Sequence, residues 1–344
     1  MKEPTMSHHT PHTWIKDIQQ GDSVQGLYMV REKRLGKTRR GDAFLTISLA
    51  DRTGDVEAKV WDHAEEVSSR FKTGDVLDIE GSATSFRDRI QLTLSRLEVV
   101  NGEVDYSLFL ESSIESPGRM VAQLRKLMQE IRDPHLKALI ERFFSDGQFM
   151  HLFEKAPAAK NFHHNYLGGL LEHTLSVCGI IRQVADHYPH LDRDLLLAGA
   201  FLHDIGKVRE LSWDLQIEYT DEGRLVGHLV EGTLLLEEKL TGLKEFPRDL
   251  ASRLKHLILS HHGEYEFGSP KRPKFLEAFV LHLADDLDAK VNGLGRFFEK
   301  DGREGTWTDY NRLFERYFLK GNDQQIGEGR IADQKDEGKQ GSLF

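Results

Sequence analysis

The chain has 344 residues, enough for two or three domains, and its 39% hydrophobic and 30% charged residues describe a globular chain. Its longest apolar run, Leu195–Leu202, is far too short to cross a bilayer. A formal net charge of −10 excludes a surface that is basic throughout, and a single cysteine, Cys178, excludes disulfide staples and cysteine zinc sites, so a reducing, cytoplasmic setting without membrane association is expected.

Residues 1–13 show no periodicity and read as a disordered arm, without the apolar core of a secretory signal. Strand patterns follow at Ser23–Val30, Phe44–Leu49 and Val56–Trp61, the last two joined by the turn Asp51-Arg52-Thr53-Gly54. A short polar helix over Ala64–Arg70 precedes further strands at Val76–Gly81 and Arg89–Val100. Five strands with a helix after the third predict a small Greek-key barrel of the OB type over 14–101. Between the first two strands, REKRLGKTRR (31–40) carries six basic side chains against Glu32 and reads as a basic loop. Arg39 and Arg40 in it, with Tyr28, Phe44, Trp61 and Phe86 nearby, are candidates for binding a single strand by charge and stacking. The bland alternatives are a solvated loop and core aromatics.

Beyond Asn101 the pattern turns helical. Residues 102–160 read as a helical connector, and 161–320 as an all-α domain with helices at Leu167–His187, Asp194–Asp204, Gly227–Leu240, Asp249–His262 and Phe275–Val291. Gln216–Glu222 is the one strand-like piece, predicted to pair with Leu225-Val226, and 321–344 reads as a disordered tail. The fold class is therefore α+β in two domains, a barrel followed by helices.

Eleven of the 17 histidines lie between 163 and 282. His203-Asp204 closes an apolar helix, His173 lies at the rim of another helix's apolar face, and His228 begins a third. His261-His262 ends a fourth, and Asp285 sits inside the apolar run of a fifth. A lone inward histidine is usually a satisfied core residue. Five helices each turning His or Asp inward point instead to divalent metal, and so many ligands point to two ions. Manganese leads the candidates, with Fe, Co, Ni, Zn or Mg as alternatives.

The set His173, His203-Asp204 and Asp285 resembles the H…HD…D signature of the HD superfamily of metal-dependent phosphohydrolases. Ala156–Lys160, His163–Thr174, Phe267–Pro270 and Leu283–Lys290 are similar to the YhaM-type 3′-5′ exoribonucleases, which join an N-terminal OB domain to an HD domain. That resemblance implies that His173, His203, Asp204 and Asp285 ligate one metal, and that Asp204 bridges to a second completed by His228, His261 and His262. One of the tandem histidines can instead hold phosphate, Asp286 is the register alternative to Asp285, and His282 is a candidate supporting partner. Gly169 stands where some cyclic-dinucleotide hydrolases of the superfamily carry an acid, which argues against that branch. Asp204 and Lys207 are the catalytic candidates, Lys207 through the scissile phosphate or the departing oxygen. Lys160, His163 and His164 are candidates for substrate phosphate, and Arg272 and Lys274 weaker ones. The expected activity is 3′-5′ hydrolysis of single-stranded RNA, with ssDNA open, to nucleoside monophosphates. A small-nucleotide hydrolase and a non-catalytic nucleic-acid-binding protein are the alternatives, and self-assembly into a homo-oligomer is open.

Overall fold

Strand β1 (Ser23–Lys37) is long enough to serve both sides of a barrel. Its first half pairs with β4 (Val76–Phe86) and its second half with β2 (Ala43–Asp51), with a register shift between Val30 and Glu32 where the strand bends from one partner to the other. β3 (Gly54–Val60) pairs antiparallel with β2, β5 (Arg89–Val99) pairs antiparallel with β4, and a short parallel ladder between β3 and β5 closes the barrel in the order β1-β2-β3-β5-β4. Helix α1 (Ala64–Ser69) follows β3 as expected. This closed five-stranded barrel is the predicted OB fold. The structure, a computed structural model, describes residues 12–38, 41–86, 89–102, 104, 106–213, 216–301 and 305–320.

Two expectations for the barrel are corrected. The basic segment read as a loop continues β1 as far as Lys37, because its backbone finds a ladder on β2 from Glu32↔Ser48 to Lys37↔Ala43 whatever its side chains carry. Tyr28 is fully buried in the barrel core with Val24, Leu45, Ile47, Leu77 and Leu92, so it is no stacking platform.

The helices are α2 (Pro117–Met128), α3 (Pro134–Phe144), α4 (Gly147–Phe153), α5 (Gly169–His187), α6 (Arg193–Leu202), α7 (Lys207–Glu210), α8 (Asp221–Leu225), α9 (His228–Leu240), α10 (Arg248–Ser260) and α11 (Leu276–Lys300). Asp133, Asp146 and Asp192 cap α3, α4 and α6 by accepting from backbone N–H groups of the first turns. The strand-like piece shrinks to β7 (Glu218–Tyr219), which pairs with β6 (Leu211–Ser212) and not with Leu225-Val226. Thr220 caps α8 by accepting from Gly223 N–H, and this commits 221–225 to helix.

Contacts divide the chain into two compact units, Met1–Ala289 and Lys290–Phe344. In the second, Trp307 bridges to Leu319 and Asn311 to Arg316. Within the first, the barrel and the helices have separate apolar cores. The connector meets the barrel through Phe109, packed with Met29 and Val76, and meets the helices through a bridge from Ser112 to Leu167. No helix among the described residues is long and apolar enough to cross a membrane.

The helical core gathers Phe143, Phe144 and Phe153 around Phe201, with ring centroids 5.7, 5.4 and 5.9 Å from it. Phe201 is fully buried two residues before His203, so the packing that fixes α6 also fixes the turn that follows it. Phe201→Ala is expected to cost about 3–5 kcal/mol of unfolding free energy, read as a lower urea midpoint.

Candidate metal centre

α6 ends at Leu202, so His203 and Asp204 stand in the turn beyond it and not on the helix as first read. His203 Nδ1–H donates to the Ala200 carbonyl (2.8 Å), filling one of the acceptors that a helix C-terminus leaves over. α10 repeats the device: it stops at Ser260, and His261 Nδ1–H donates to the Ile258 carbonyl (2.8 Å). His262 Nδ1 turns to the Phe267 carbonyl (2.9 Å). In each ring the outer nitrogen is occupied and Nε2 is aimed inward. Two close approaches bring the elements together. A Cβ on Gly206 would fall inside the His228 carbonyl and the Gly232 N–H, so the turn after Asp204 lies directly on the start of α9. A Cβ on Gly169 would fall inside the His164 carbonyl, so that position has no room for the acid found there in some superfamily members.

The result is two donor sets that share one carboxylate. Asp204 Oδ2 lies 3.5 Å from His173 Nε2 and 3.5 Å from His203 Nε2, and Asp285 Oδ1 completes this set at 3.1 Å from His173 Nε2 and 3.7 Å from His203 Nε2. Asp204 Oδ1 faces the other way, 3.6 Å from His228 Nε2 and 3.4 Å from His261 Nε2. His262 Nε2 joins the second set at 3.2 Å from His228 Nε2. His173, His203, Asp204 and His261 are all buried. Of the adjacent pair Asp285-Asp286, Asp285 is the acid with a carboxylate oxygen 3.1 Å from His173 Nε2.

The protonation pattern is that of a ligand set. Burial opposes ionisation of Asp204 and Asp285, yet Lys207 and the imidazoles outweigh it at Asp204, and His173, His203 and His261 outweigh it at Asp285, holding both carboxyls well below the usual carboxylate range. Burial pushes His203 down to about 4 against the pull of Asp204 and Asp285, and pushes His262, beside His261 and His228, down to about 3. Burial acts the same way on His173, but Asp204, Asp285 and Asp288 overcome it and raise its pKa well above the ordinary histidine value. Carboxylates that draw a proton onto a buried imidazole mark a surplus of negative charge that a cation would neutralise.

Two further observations test that fit. Asp204 Oδ1 is buried without a hydrogen-bond partner. The Nδ1 atoms of His228 and His262 both face acceptors, so two Nε2 lone pairs oppose each other across 3.2 Å. Imidazole and carboxylate donors without thiolate suit a divalent first-row ion, and the residues present fit one.

Lys207 is buried and donates to Asp204 Oδ2 (2.6 Å); burial alone would lower its pKa, but Asp204 beside it raises it. His163 lies beside His173 with ring centroids 5.4 Å apart and planes tilted by 58°, its Nδ1 is buried without a partner, and burial with nearby Lys207 lowers its pKa to about 3. The remaining candidates stand differently. Lys160 donates to Glu218 (2.7 Å). His164 is buried with Nε2 on Asp288 (3.0 Å) and Nδ1 on the Tyr166 hydroxyl (3.0 Å), so its ring braces the protein instead of facing substrate as expected. His282 Nδ1 donates to the His261 carbonyl (2.7 Å). Arg272 pairs with Glu264 at 2.5 Å and lies over Tyr265. On the barrel, Trp61 is 50% exposed with its ring 5.4 Å from Phe44, and Lys59 Nζ lies 5.2 Å from the Phe44 centroid. Arg39, Arg40 and the Phe86 side chain lie outside the described residues.

Two residues were not anticipated. Asp288 accepts from His173 Nδ1 (2.7 Å), and Glu210 accepts from His228 Nδ1 (2.9 Å). Burial would raise both carboxyls, but their histidine partners outweigh it and lower them. The available signal was spacing: Asp288 lies one helical turn after Asp285, and Glu210 one turn after Lys207.

The architecture defines the class first, an OB-fold barrel joined to an HD domain: residues 28–100 match the OB-fold nucleic acid binding domain and 170–290 the HD domain. The chain is 35% identical over 290 residues to the 3′-5′ exoribonuclease YhaM of Shouchella clausii (strain KSM-K16), covering 83% of this chain and 89% of that protein. It belongs to the YhaM family. Among solved structures, the second OB-fold domain of replication protein A from Methanococcus maripaludis is 15% identical, with a TM-score of 0.23 over 28% of this chain and all of that one. The single-stranded DNA binding protein of Thermus aquaticus is 25% identical, with a TM-score of 0.22 over 24% of this chain and 42% of that one.

Asp204→Asn removes the one carboxylate charge that the two donor sets share. It is expected to lower bound divalent metal in the purified protein, measured by elemental analysis against wild type. Gly206→Ala, which forces the turn off α9, is expected to reduce metal content and thermal midpoint together.

Proposed function

We propose that this protein is a divalent-metal-dependent 3′-5′ exoribonuclease that shortens single-stranded RNA to nucleoside monophosphates. The observation that carries the metal-dependent chemistry is Asp204, whose two oxygens face separate imidazole sets. The substrate and its direction come from the kinship with the YhaM relative. Two divalent ions, manganese first among the candidates, would be held by His173, His203 and Asp285 and by His228, His261 and His262, with Asp204 available to both sets. When bound, such ions neutralise charge on a phosphodiester and lower the pKa of a water.

The chain's own residues supply the rest. Lys207, fixed against Asp204, would meet a phosphate oxygen or the departing 3′ oxygen as charge develops there. His163, neutral near pH 7, would offer its partnerless Nδ1 to the substrate phosphate. Trp61 and Phe44, with Lys59 beside them, would stack bases of the incoming strand, because every base has a face and a backbone charge to match. We assign 14–101 to strand binding, 102–160 to the connector and 161–320 to hydrolysis, and a reducing cytoplasm to a chain with one cysteine, itself buried.

Purified protein with Mn2+ is expected to convert 5′-labelled RNA into a ladder of shortened products, and a blocked 3′ end is expected to abolish it. Turnover confined to mononucleotides would replace this reading with that of a small-nucleotide hydrolase. Trp61→Ala is expected to weaken binding of single-stranded RNA by about 1–3 kcal/mol, measured by fluorescence anisotropy.

A further inference from the structure

The histidines of the centre divide by what stands behind them. His203, His261 and His262 have Nδ1 on backbone carbonyls, whereas His173 and His228 have Nδ1 on carboxylates. One carboxylate-backed imidazole falls in each donor set. From this division we infer that Asp288 and Glu210 are a pair of positioning residues, one per set, that fix the Nδ1–H tautomer of His173 and His228 and strengthen Nε2 as a metal donor. The inference rests on the metal-centre reading above.

The two carboxylates are themselves held. Asp288 is buried; its Oδ2 accepts from His173 Nδ1 at 2.7 Å and His164 Nε2 at 3.0 Å, and its Oδ1 accepts from the Ser176 hydroxyl. Three donors leave the group no rotation. Glu210 Oε1 accepts from His228 Nδ1 at 2.9 Å and from the His228 backbone N–H at 3.1 Å, so one oxygen grips both ring and chain of the same residue. Ionised carboxylates only accept, so each compels a proton on Nδ1, and a cation that displaces any proton from Nε2 would meet its lone pair facing the centre. A carbonyl sets the same tautomer with a partial charge; a carboxylate adds a full one, which raises the basicity of the ligating nitrogen.

Asp288, His164 and His173 also lie close enough to resemble a metal site of their own. Their contacts are N–H···O hydrogen bonds closed off by Ser176, and His173 has its other nitrogen in the Asp204 set, so the carboxylate serves the ring and not an ion. Asp288 has one further reach: through His164 it ties the loop carrying His163 to His173.

The test uses the full chain, freed of metal by chelation and titrated with Co2+ while visible absorption and binding heat are followed. Wild type is expected to take up two equivalents. Asp288→Asn is expected to weaken one equivalent 10–100-fold and leave the other within a factor of two; Glu210→Gln is expected to weaken the other equivalent, and the double variant both. Circular dichroism and thermal midpoint of the metal-free proteins should match wild type, which a merely structural role would not allow. Should Asp288→Asn not fold, Ser176→Ala, which removes a donor from Asp288 and keeps its charge, should produce a smaller weakening of the same equivalent. Two equivalents in wild type with unchanged affinity in the variants would overturn the inference and leave the metal centre standing, as would a third equivalent that disappears with Asp288. Failure of wild type to bind Co2+ would overturn the metal centre and the inference with it.

Discussion

Each of the five imidazoles in the two donor sets has already spent its outer nitrogen on an acceptor, and everything else about the centre depends on that commitment. A neutral imidazole has one proton, so fixing it on Nδ1 leaves a lone pair on Nε2 and a ring that cannot turn away. The backbone supplies the acceptor for three of the five rings and carboxylates for the other two. At His203 and His261 the acceptors are carbonyls that the ends of α6 and α10 would otherwise leave over. Helix termination and ligand orientation are one event at these positions.

Asp204 turns two clusters into one centre. The helix that leads up to it ends in an apolar run, Leu195–Leu202, and its burial would be costly without the imidazoles and Lys207 around it. The packing that makes this possible is the Phe201 cluster below the turn and the close approach of Gly206 to α9 above it. Neither region carries chemistry, yet both decide where the carboxylate stands. The barrel, with its own apolar core, is free to vary its surface aromatics and charges without disturbing the helical interior.

Much of this was legible in the sequence because strand alternation and inward histidines are strong signals. Phe44 on β2 and Trp61, one residue past β3, alternate with core residues and were left open as platform or core, while Tyr28 follows its own alternation into the interior. Periodicity alone does not say which face is wet. The basic stretch after Val30 read as a loop because its charges hide the backbone ladder that β2 offers. Asp288 and Glu210 escaped notice for a related reason: an acid on a helix is usually solvated, and only the fold reveals that these two stand behind histidines distant in sequence. The pairing of β6 with β7 was hidden because strands of two residues each carry too little pattern to read.

Because His203-Asp204 and His261-His262 follow directly on the last turns of α6 and α10, the lengths of those helices are fixed as tightly as their ligands. One residue inserted into α6 would carry His203 about 100° around the axis and about 1.5 Å along it, taking Nε2 out of reach of Asp285. Residues along the outer faces of these helices can be exchanged freely by comparison. Drift in this lineage should therefore accumulate as replacements there, while gains and losses of residues gather in the connections that carry no donor.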